Sequence, residues 1–412
     1  MDSLQLISTK KQLASFLFII LSIFTFNLFY EYFKYKDFKK EEVYLDTYEV
    51  LNIYEKKDFL VIKLQNDKLE FFTSINKEEK LEKLDFITIA VLSKGVSFYD
   101  FLKGFYTKSI FYENIQKVNS FKKEVFNHIN SLHKEEKIKE LFNALFLAIP
   151  ISKENREIYT DFGISHLIAI SGFHLSIISF IIFILLYYPY SFFHERYFPY
   201  RNKKADVLLI SIVVLLYYLY LTNLVPSLLR SFIMFSLAFL YLRSNIKVFS
   251  FESLAITLLI IISLFPKYLF SISLWFSIMG VFYIFLYIHY FKTLPKILSI
   301  IFFNFWIFFV FNPIVHFFFP NTSYEQLLSP FFTIFFTIFY PLQILLHLIG
   351  FADFLDKYIL LFLNYKMSVY EVSTTLYFFV IYVAISFFSI FSKKIFILLN
   401  ILLIIFNITM FF

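Results

Sequence analysis

Nine stretches in the second part of this chain, 164–188, 207–225, 227–242, 253–266, 272–291, 297–318, 328–349, 372–391 and 395–412, run nearly free of charge at or close to twenty residues each. About twenty apolar residues are what an α-helix needs to cross ~30 Å of hydrocarbon. A tenth run, Leu13 to Tyr30, follows Lys10 and Lys11 and lacks the small-residue cleavage site of a secretory signal, so it reads as a retained anchor. The expected fold class is therefore mostly α: a polytopic helical membrane protein of about ten spans. Its 63 Phe and 30 Tyr against only 6 Gly look like AT-rich mutational bias, and most of these rings are lipid-facing filler.

Charge and cysteine content narrow the chemistry. There is no Cys, which removes disulfides, thiolate metal sites and Cys nucleophiles together. The net charge of +7 suggests nucleic acid, but residues 31–140 hold 20 Lys+Arg against 20 Asp+Glu. The excess lies in 141–412, where the positive-inside rule accounts for it. With the N-terminus in the cytoplasm, Arg196, Arg201, Lys203, Lys204, Arg243, Lys247, Lys292 and Lys296 all fall inside. Strict alternation of ten spans puts Lys393 and Lys394 outside, so either the amphipathic piece 351–365 crosses or a later segment is re-entrant.

Four regions follow along the chain. Residues 1–38 form the anchor. Residues 39–110 carry short apolar strings at Val43–Val50, Phe59–Leu64, Lys68–Thr73 and Phe86–Leu92, separated by polar breaks such as Gln65-Asn66-Asp67. These predict a small β-barrel or sandwich of about five strands, extracytoplasmic in the orientation above. Its lack of net positive charge, 12 Lys+Arg against 13 Asp+Glu, argues against tight nonspecific DNA binding. Residues 111–150 read as an amphipathic helical connector, with a stripe at Ile115, Val118, Phe121, Val125, Ile129 and Leu132, lying on the membrane or against the β domain. Its Lys117, Lys122, Lys123, Lys134, Lys137 and Lys139 either touch phosphates or form a solvated face. Residues 151–412 hold the nine membrane segments.

Two constellations stand out within them. The stretch 163–174, Gly-Ile-Ser-His-Leu-Ile-Ala-Ile-Ser-Gly-Phe-His, gathers two of six glycines and two of eight histidines. On one helix Ser171 and His174 share a face, and His166 and His174 stand two turns apart. Ser165, His166, Ser171, Gly172, His174 and Ser176 then form either a polar seam on a wet path or a packing surface with back-bonded serines. A zinc site is not expected, because no Glu or third His lies at ligand spacing. The second constellation is Pro226-Ser227-Leu228-Leu229-Arg230, with Asn223 just before it. Arg230 is the only charged residue from Val207 to Leu242. An intramembrane Arg counts as functional unless it snorkels to an interface, and its planar fork suits phosphate.

The run Gly163 to Leu175 resembles the signature of the ComEC competence family, Gly-Leu-x-His-Leu-Leu-Ala-Ile-Ser-Gly-Leu-His-Val. Pro226-Ser227-Leu228-Leu229-Arg230-Ser231 is similar to that family's Pro-Ser-x-x-Arg-Ala, in the same order and spacing. Pro266 with Leu274-Trp275-Phe276-Ser277 resembles a third family stretch, without its glycine and glutamine. The resemblance implies a bacterial cytoplasmic-membrane channel for one strand of transforming DNA, with an OB-like domain where residues 39–110 lie. It further implies an extracytoplasmic DNA receptor and a cytoplasmic ATP-dependent helicase-like motor as partners. The metallo-β-lactamase-like domain of many members, with its His-x-His-x-Asp-His, has no counterpart here, so nuclease activity is not expected.

A DNA channel needs Ser, His, Asn and a few cations along a wet path, with weak, repeated contacts and no cofactor. Aromatic stacking holds bases without reading sequence. Its expected lining is Ser165, His166, Ser171, Gly172, His174, Ser176, Asn223, Pro226, Ser227 and Arg230, whether within one chain or in a homo-oligomer. The rival is a rhomboid-like serine protease, using Ser171 in Ala169-Ile170-Ser171-Gly172 and His347 as base. That reading leaves His174 and Arg230 without roles. A polytopic transporter of another solute is the third reading.

Overall fold

The computed structural model describes residues 9–77, 81–116, 120–241 and 250–412. Helix α1 (Lys10–Phe38) starts at a Thr9–Gln12 capping box and leads into strands β1 (Val43–Glu55), β2 (Phe59–Gln65), β3 (Glu70–Asn76) and β4 (Phe86–Leu92). Helix α2 (Phe98–Lys103), then strands β5 (Phe105–Tyr106) and β6 (Ser109–Gln116), complete a six-stranded sheet of order β5-β3-β2-β1-β4-β6. Alternation makes the sheet: along β2 the odd residues lie half out, while Leu60, Ile62 and Leu64 join Tyr48, Phe71 and Ile89 in one core. β5 pairs in parallel with β3, and β6 pairs with β4, so the consecutive pair β5–β6 curls the sheet toward closure.

Here the helical reading of 111–116 is corrected. β4 offers an edge, and β6 pairs along it from Ser109 to Gln116. Ile115 therefore belongs to a strand, and Val118 and Lys117 lie outside the described residues. The connector proper is α3 (Phe121–Leu132) and α4 (Glu136–Leu147). These helices do not float on a surface. Ile129, Ile138, Leu141, Phe142 and Leu145 are buried with Leu84 of the β region, with Tyr159, Phe162, Leu167 and Ile168 further on, and with Phe336, Tyr340 and Leu363. Three connector lysines, Lys123, Lys137 and Lys139, are engaged in neutralising contacts. Buried Lys123 holds Asp85 (3.2 Å), Glu82 (3.3 Å) and the Lys83 carbonyl (2.8 Å), and Lys137 and Lys139 pair with Glu154 and Glu136. Lys134 remains exposed.

After α5 (Lys153–Asp161) and α6 (Ser165–Ile168) the membrane part runs through α7 (Gly172–Tyr197), α8 (Lys203–Leu221), α9 (Pro226–Tyr241) and α10 (Phe251–Leu264). It continues with α11 (Ile272–Tyr290), α12 (Lys296–Phe318), β7 (Asn321–Thr322), α13 (Ser329–Ile349), α14 (Asp356–Leu363), β8 (Tyr370–Glu371), α15 (Leu376–Phe388) and α16 (Lys393–Phe411). Seven helical segments among the described residues are long and apolar enough to cross a membrane, and α9, α10 and α15 are shorter apolar helices. At 1.5 Å per residue the 13 residues of α15 span only about 20 Å. Between such helices lipid is as apolar as the packing face, so polar contacts and close packing set the arrangement. Asn312 donates to Asn407 (2.6 Å), Tyr382 to the Val310 carbonyl (2.8 Å), Trp306 to Asn400 (2.8 Å) and Asn27 of α1 to the Ser263 carbonyl (2.8 Å).

The pairing of β7 with β8 explains the misplaced lysines. Asn321 stands opposite Glu371 and Thr322 opposite Tyr370, so the chain leaves for α13 and α14 and returns to the point of departure. That excursion adds no net crossing. The Tyr290 hydroxyl donates to the Ser389 carbonyl (2.6 Å), and its ring stacks on Phe396 at 3.9 Å. Lys393 and Lys394 thus sit at the same end of the bundle as Lys292 and Lys296. The β region marks the opposite end: Asn223 donates to Gln65 (3.4 Å), and the Tyr99 and Phe270 rings meet edge to face. Arg243 and Lys247 lie outside the described residues.

Candidate functional site

Ser165 to Ser176 do not form one helix. α6 stops at Ile168, Ala169 turns extended (ψ 125°), and Ser171 is extended at φ −134°, ψ 179° as the N-cap of α7. His166 and His174 therefore belong to separate helices, against the expectation from spacing. The break follows from side chains that outcompete the helical pattern. Ser171 Oγ accepts from the Phe173 N–H (3.3 Å), and His174 Nδ1 accepts from the Ser171 N–H (3.1 Å). The Ile170 carbonyl, freed by the break, accepts from Ser227 Oγ at 2.6 Å. A broken helix is tolerated at membrane depth where protein covers it or a cavity receives it.

Arg230 sits one turn into α9 and is buried at 8% exposure, too deep for the snorkelling alternative. Its Nε donates to Ser277 Oγ (2.7 Å), Nη2 to Ser231 Oγ (2.9 Å) and Nη1 to the Met234 thioether (3.4 Å). Each partner is neutral. Among the described residues no carboxylate pairs with it, so a full positive charge is held in the bundle by hydroxyls and a sulfur. Ser231 Oγ in turn donates to the Ser227 carbonyl (3.0 Å), which fixes the fork against its own helix.

Gly172 is what lets α7 approach this fork. A Cβ there would stand 2.6 Å from Ser231 Oγ and 3.2 Å from Arg230 Nη2. The positive end of the α7 dipole thus meets a buried guanidinium, an arrangement that repels itself and favours any anion placed nearby. His174, 1% exposed, adds to this: because Nδ1 accepts, the ring proton is on Nε2, a buried donor that faces the Leu167 carbonyl without a close hydrogen bond. Its ring lies against Phe336 and Tyr340, with centroids 5.5 and 4.5 Å away.

The remaining expected residues are more scattered. Ser165 and His166 are exposed and bond Thr160 (3.1 Å) and Thr333 (3.3 Å). Exposed Ser176 bonds back to the Gly172 carbonyl (2.8 Å). Asn223 is not beside Arg230 but in the turn before α9, where it and Leu224 take left-handed φ of 57° and 54°, a strained choice for leucine. That turn is clamped: Lys122 donates to Asn223 (3.2 Å), and Tyr268 donates to the Leu224 carbonyl (2.6 Å). Pro226 then opens α9 at the position where a missing N–H costs nothing. The spacing of the motifs did not single out Ser231, Ser277 and Met234 as the Arg230 shell. Ser231 and Ser277 do lie in two of the family-like stretches, but nothing in those stretches ties them, or Met234, to the arginine.

The expected protease pair is not assembled. Ser171 serves as a helix cap, and His347 is hydrogen-bonded to His133 and the Gln343 carbonyl instead. Among the described residues no group of three or more His, Cys, Asp and Glu is arranged so that it could hold a metal ion. A cavity of about 510 Å³ lies among α10, α11, α12 and α15, lined by groups such as Trp275, Phe276, Met279 and Phe318. None of the expected path residues lines it.

No curated protein and no solved structure matches the chain. The family model described as Competence protein does match, over residues 150–411, a range that starts just before the broken helix and takes in Arg230 and every later helix. By that match over more than half of its length, this multi-pass chain belongs to the competence protein family.

Proposed function

We propose that this protein is a channel of the bacterial cytoplasmic membrane that conducts single-stranded transforming DNA inward. Membership of the competence protein family supports a role in DNA uptake during competence. The observation that carries the finer reading is Arg230: a buried cation with only neutral partners among the described residues, set against the positive end of α7 and beside the buried Nε2 of His174. Such a cluster favours a passing phosphate, and a single cation with one ring N–H beside it offers too few contacts to trap it. Weak contact of this kind suits conduction.

The strand order of the β region supports an OB-like reading, since β1 joins β2 and β4 while β5–β6 links β3 to β4. Lysines gathered at the opposite end of the bundle support an extracytoplasmic place for it. A DNA receptor outside and an ATP-dependent helicase-like motor inside are the partners proposed; a homo-oligomer would complete the path. The chain itself is proposed not to be an enzyme.

The test is uptake of fluorescent DNA into the cytoplasm of competent cells carrying variants. Arg230→Ala and His174→Ala abolish internalisation while the protein still inserts at native level. Normal transformation by both stable variants removes the channel assignment of these residues. Loss of membrane-substrate cleavage in Ser171→Ala with intact DNA uptake would favour the protease instead.

A further inference from the structure

A second polar cluster lies away from Arg230. His133 follows α3, His347 is in the last turn of α13, and Asp356 opens α14. His133 Nδ1 lies 2.9 Å from each carboxylate oxygen of Asp356, His133 Nε2 lies 3.1 Å from His347 Nε2, and His347 Nδ1 lies 2.8 Å from the Gln343 carbonyl. The His133 side chain is fully buried and that of Asp356 is 18% exposed. Phe142 stacks on His133 at 4.7 Å, and Phe142 and Phe146 meet the His347 ring edge to face.

Counting protons makes this cluster unusual. Each of the three contacts needs one hydrogen between its atoms, and two neutral imidazoles supply only two. With an ionised Asp356, the full chain of bonds exists only when the histidine pair holds one extra proton, whose charge the carboxylate balances. Remove it, and two ring nitrogens face each other at 3.1 Å as bare lone pairs, or one Nδ1 loses its bond. A metal ion in place of the proton would need further ligands, and none stands there among the described residues.

We propose that His133, His347 and Asp356 form a proton-operated latch fastening the connector to the α13–α14 arm. The latch closes with its shared proton bound and loosens as pH rises. Other titratable groups around it are few among the described residues: His128 of α3, when charged, opposes a proton on His347, α4 presents Phe142 and Phe146, and Lys137 is engaged with Glu154 and Asn364. Asp353 and Lys357 flank Asp356 in sequence. The latch has a route to the candidate site, because Phe336, Tyr340, Gln343 and His347 are the buried face of α13. Tyr340 and Phe336 are the rings that hold His174. The latch itself does not depend on what the bundle conducts.

Hydrogen exchange of the purified full chain in lipid nanodiscs, corrected for intrinsic exchange at each pH, reads the latch. Between the proton affinities of the closed and open forms, the opening constant of 128–136 and 345–357 rises about tenfold per pH unit, as release of one proton requires. In His347→Gln the side-chain amide donates to His133 Nε2 without an extra proton, so the slope goes flat while protection persists. Asp356→Asn removes the balancing charge and moves the transition about 1 to 3 pH units lower. A flat native profile, the native slope retained in His347→Gln, or an unmoved midpoint in Asp356→Asn overturns the proposal. So does a stoichiometric metal whose chelation opens these segments.

Discussion

Gly172→Ala tests the close approach of α7 to α9. The added Cβ would meet Ser231 Oγ at 2.6 Å, against an ordinary contact of at least 3.4 Å, so something must move by about 0.8 Å. The Ser231 hydroxyl cannot yield freely. It accepts from Arg230 Nη2 at 2.9 Å and donates to the Ser227 carbonyl at 3.0 Å, and rotating it away strips the guanidinium of one of three neutral partners. Overpacking of this size costs about 1–3 kcal/mol. A lost hydrogen bond to a charged group adds about 1.5–3 kcal/mol if it breaks outright. Alanine's better helix propensity returns at most ~1 kcal/mol. With that hydrogen bond broken, the net expectation is a destabilisation of about 1.5–5 kcal/mol, measured by denaturant unfolding in detergent micelles. In the double variant Gly172→Ala/Ser231→Ala the 2.6 Å clash is gone: the new methyl faces Ser231 Cβ at 3.4 Å, an ordinary contact, and only the 3.2 Å approach to Arg230 Nη2 remains tight. This variant should recover about 1 kcal/mol or more relative to the sum of the single changes. Full additivity, or a Gly172→Ala protein as stable as the parent, would refute the close packing of α7 on the Arg230–Ser231 fork of α9.

Further outcomes follow from other contacts. Arg230→Lys keeps the charge but cannot reach Ser277 and Ser231 together, so DNA uptake should fall well below native yet stay above Arg230→Ala in the same assay. Lys123→Ala leaves Asp85, 1% exposed, as an unpaired buried carboxylate and should cost about 3–5 kcal/mol, with recovery when Asp85→Ala is added. Burial pushes the Glu140 carboxyl up, but hydrogen bonds from Ser152 and Asn155 and the charge of Lys83 outweigh it, leaving its pKa below the ordinary 4.5. Its contribution is complete above 4.5 and is lost as pH falls through the lower folded value. Glu140→Gln should flatten that acid limb of the stability profile. Purified protein incubated with duplex DNA and zinc or manganese should leave it intact; robust cleavage contradicts the non-enzymatic reading.

Much of the architecture is legible in local pattern. Period-two strings such as Leu60, Ile62 and Leu64 gave strands, and charge-free runs gave the helices, because both signals are carried by neighbours in sequence. What local pattern could not carry was pairing. Residues 111–116 read as the start of a helix because only the edge of β4 makes them a strand. The charge-free run 164–188 hides a break, since nothing in its hydropathy records that Ser171 and His174 would cap a new helix. Arg230 was identifiable from its isolation, whereas its link to Ser277, a residue of the third family-like stretch, was not legible until α11 is packed. The His133–His347 contact joins residues 214 apart and left no local trace.

The two-residue ladder between Asn321–Thr322 and Tyr370–Glu371 makes the intervening arm a cassette. Whatever its length, it is neutral with respect to sidedness: excising it and joining its paired ends would leave α15 and α16 pointing as before. Loop replacement there could alter the arm's reach over the bundle without inverting anything downstream, and a reporter placed at Ser392 would read the same compartment with the arm or without it.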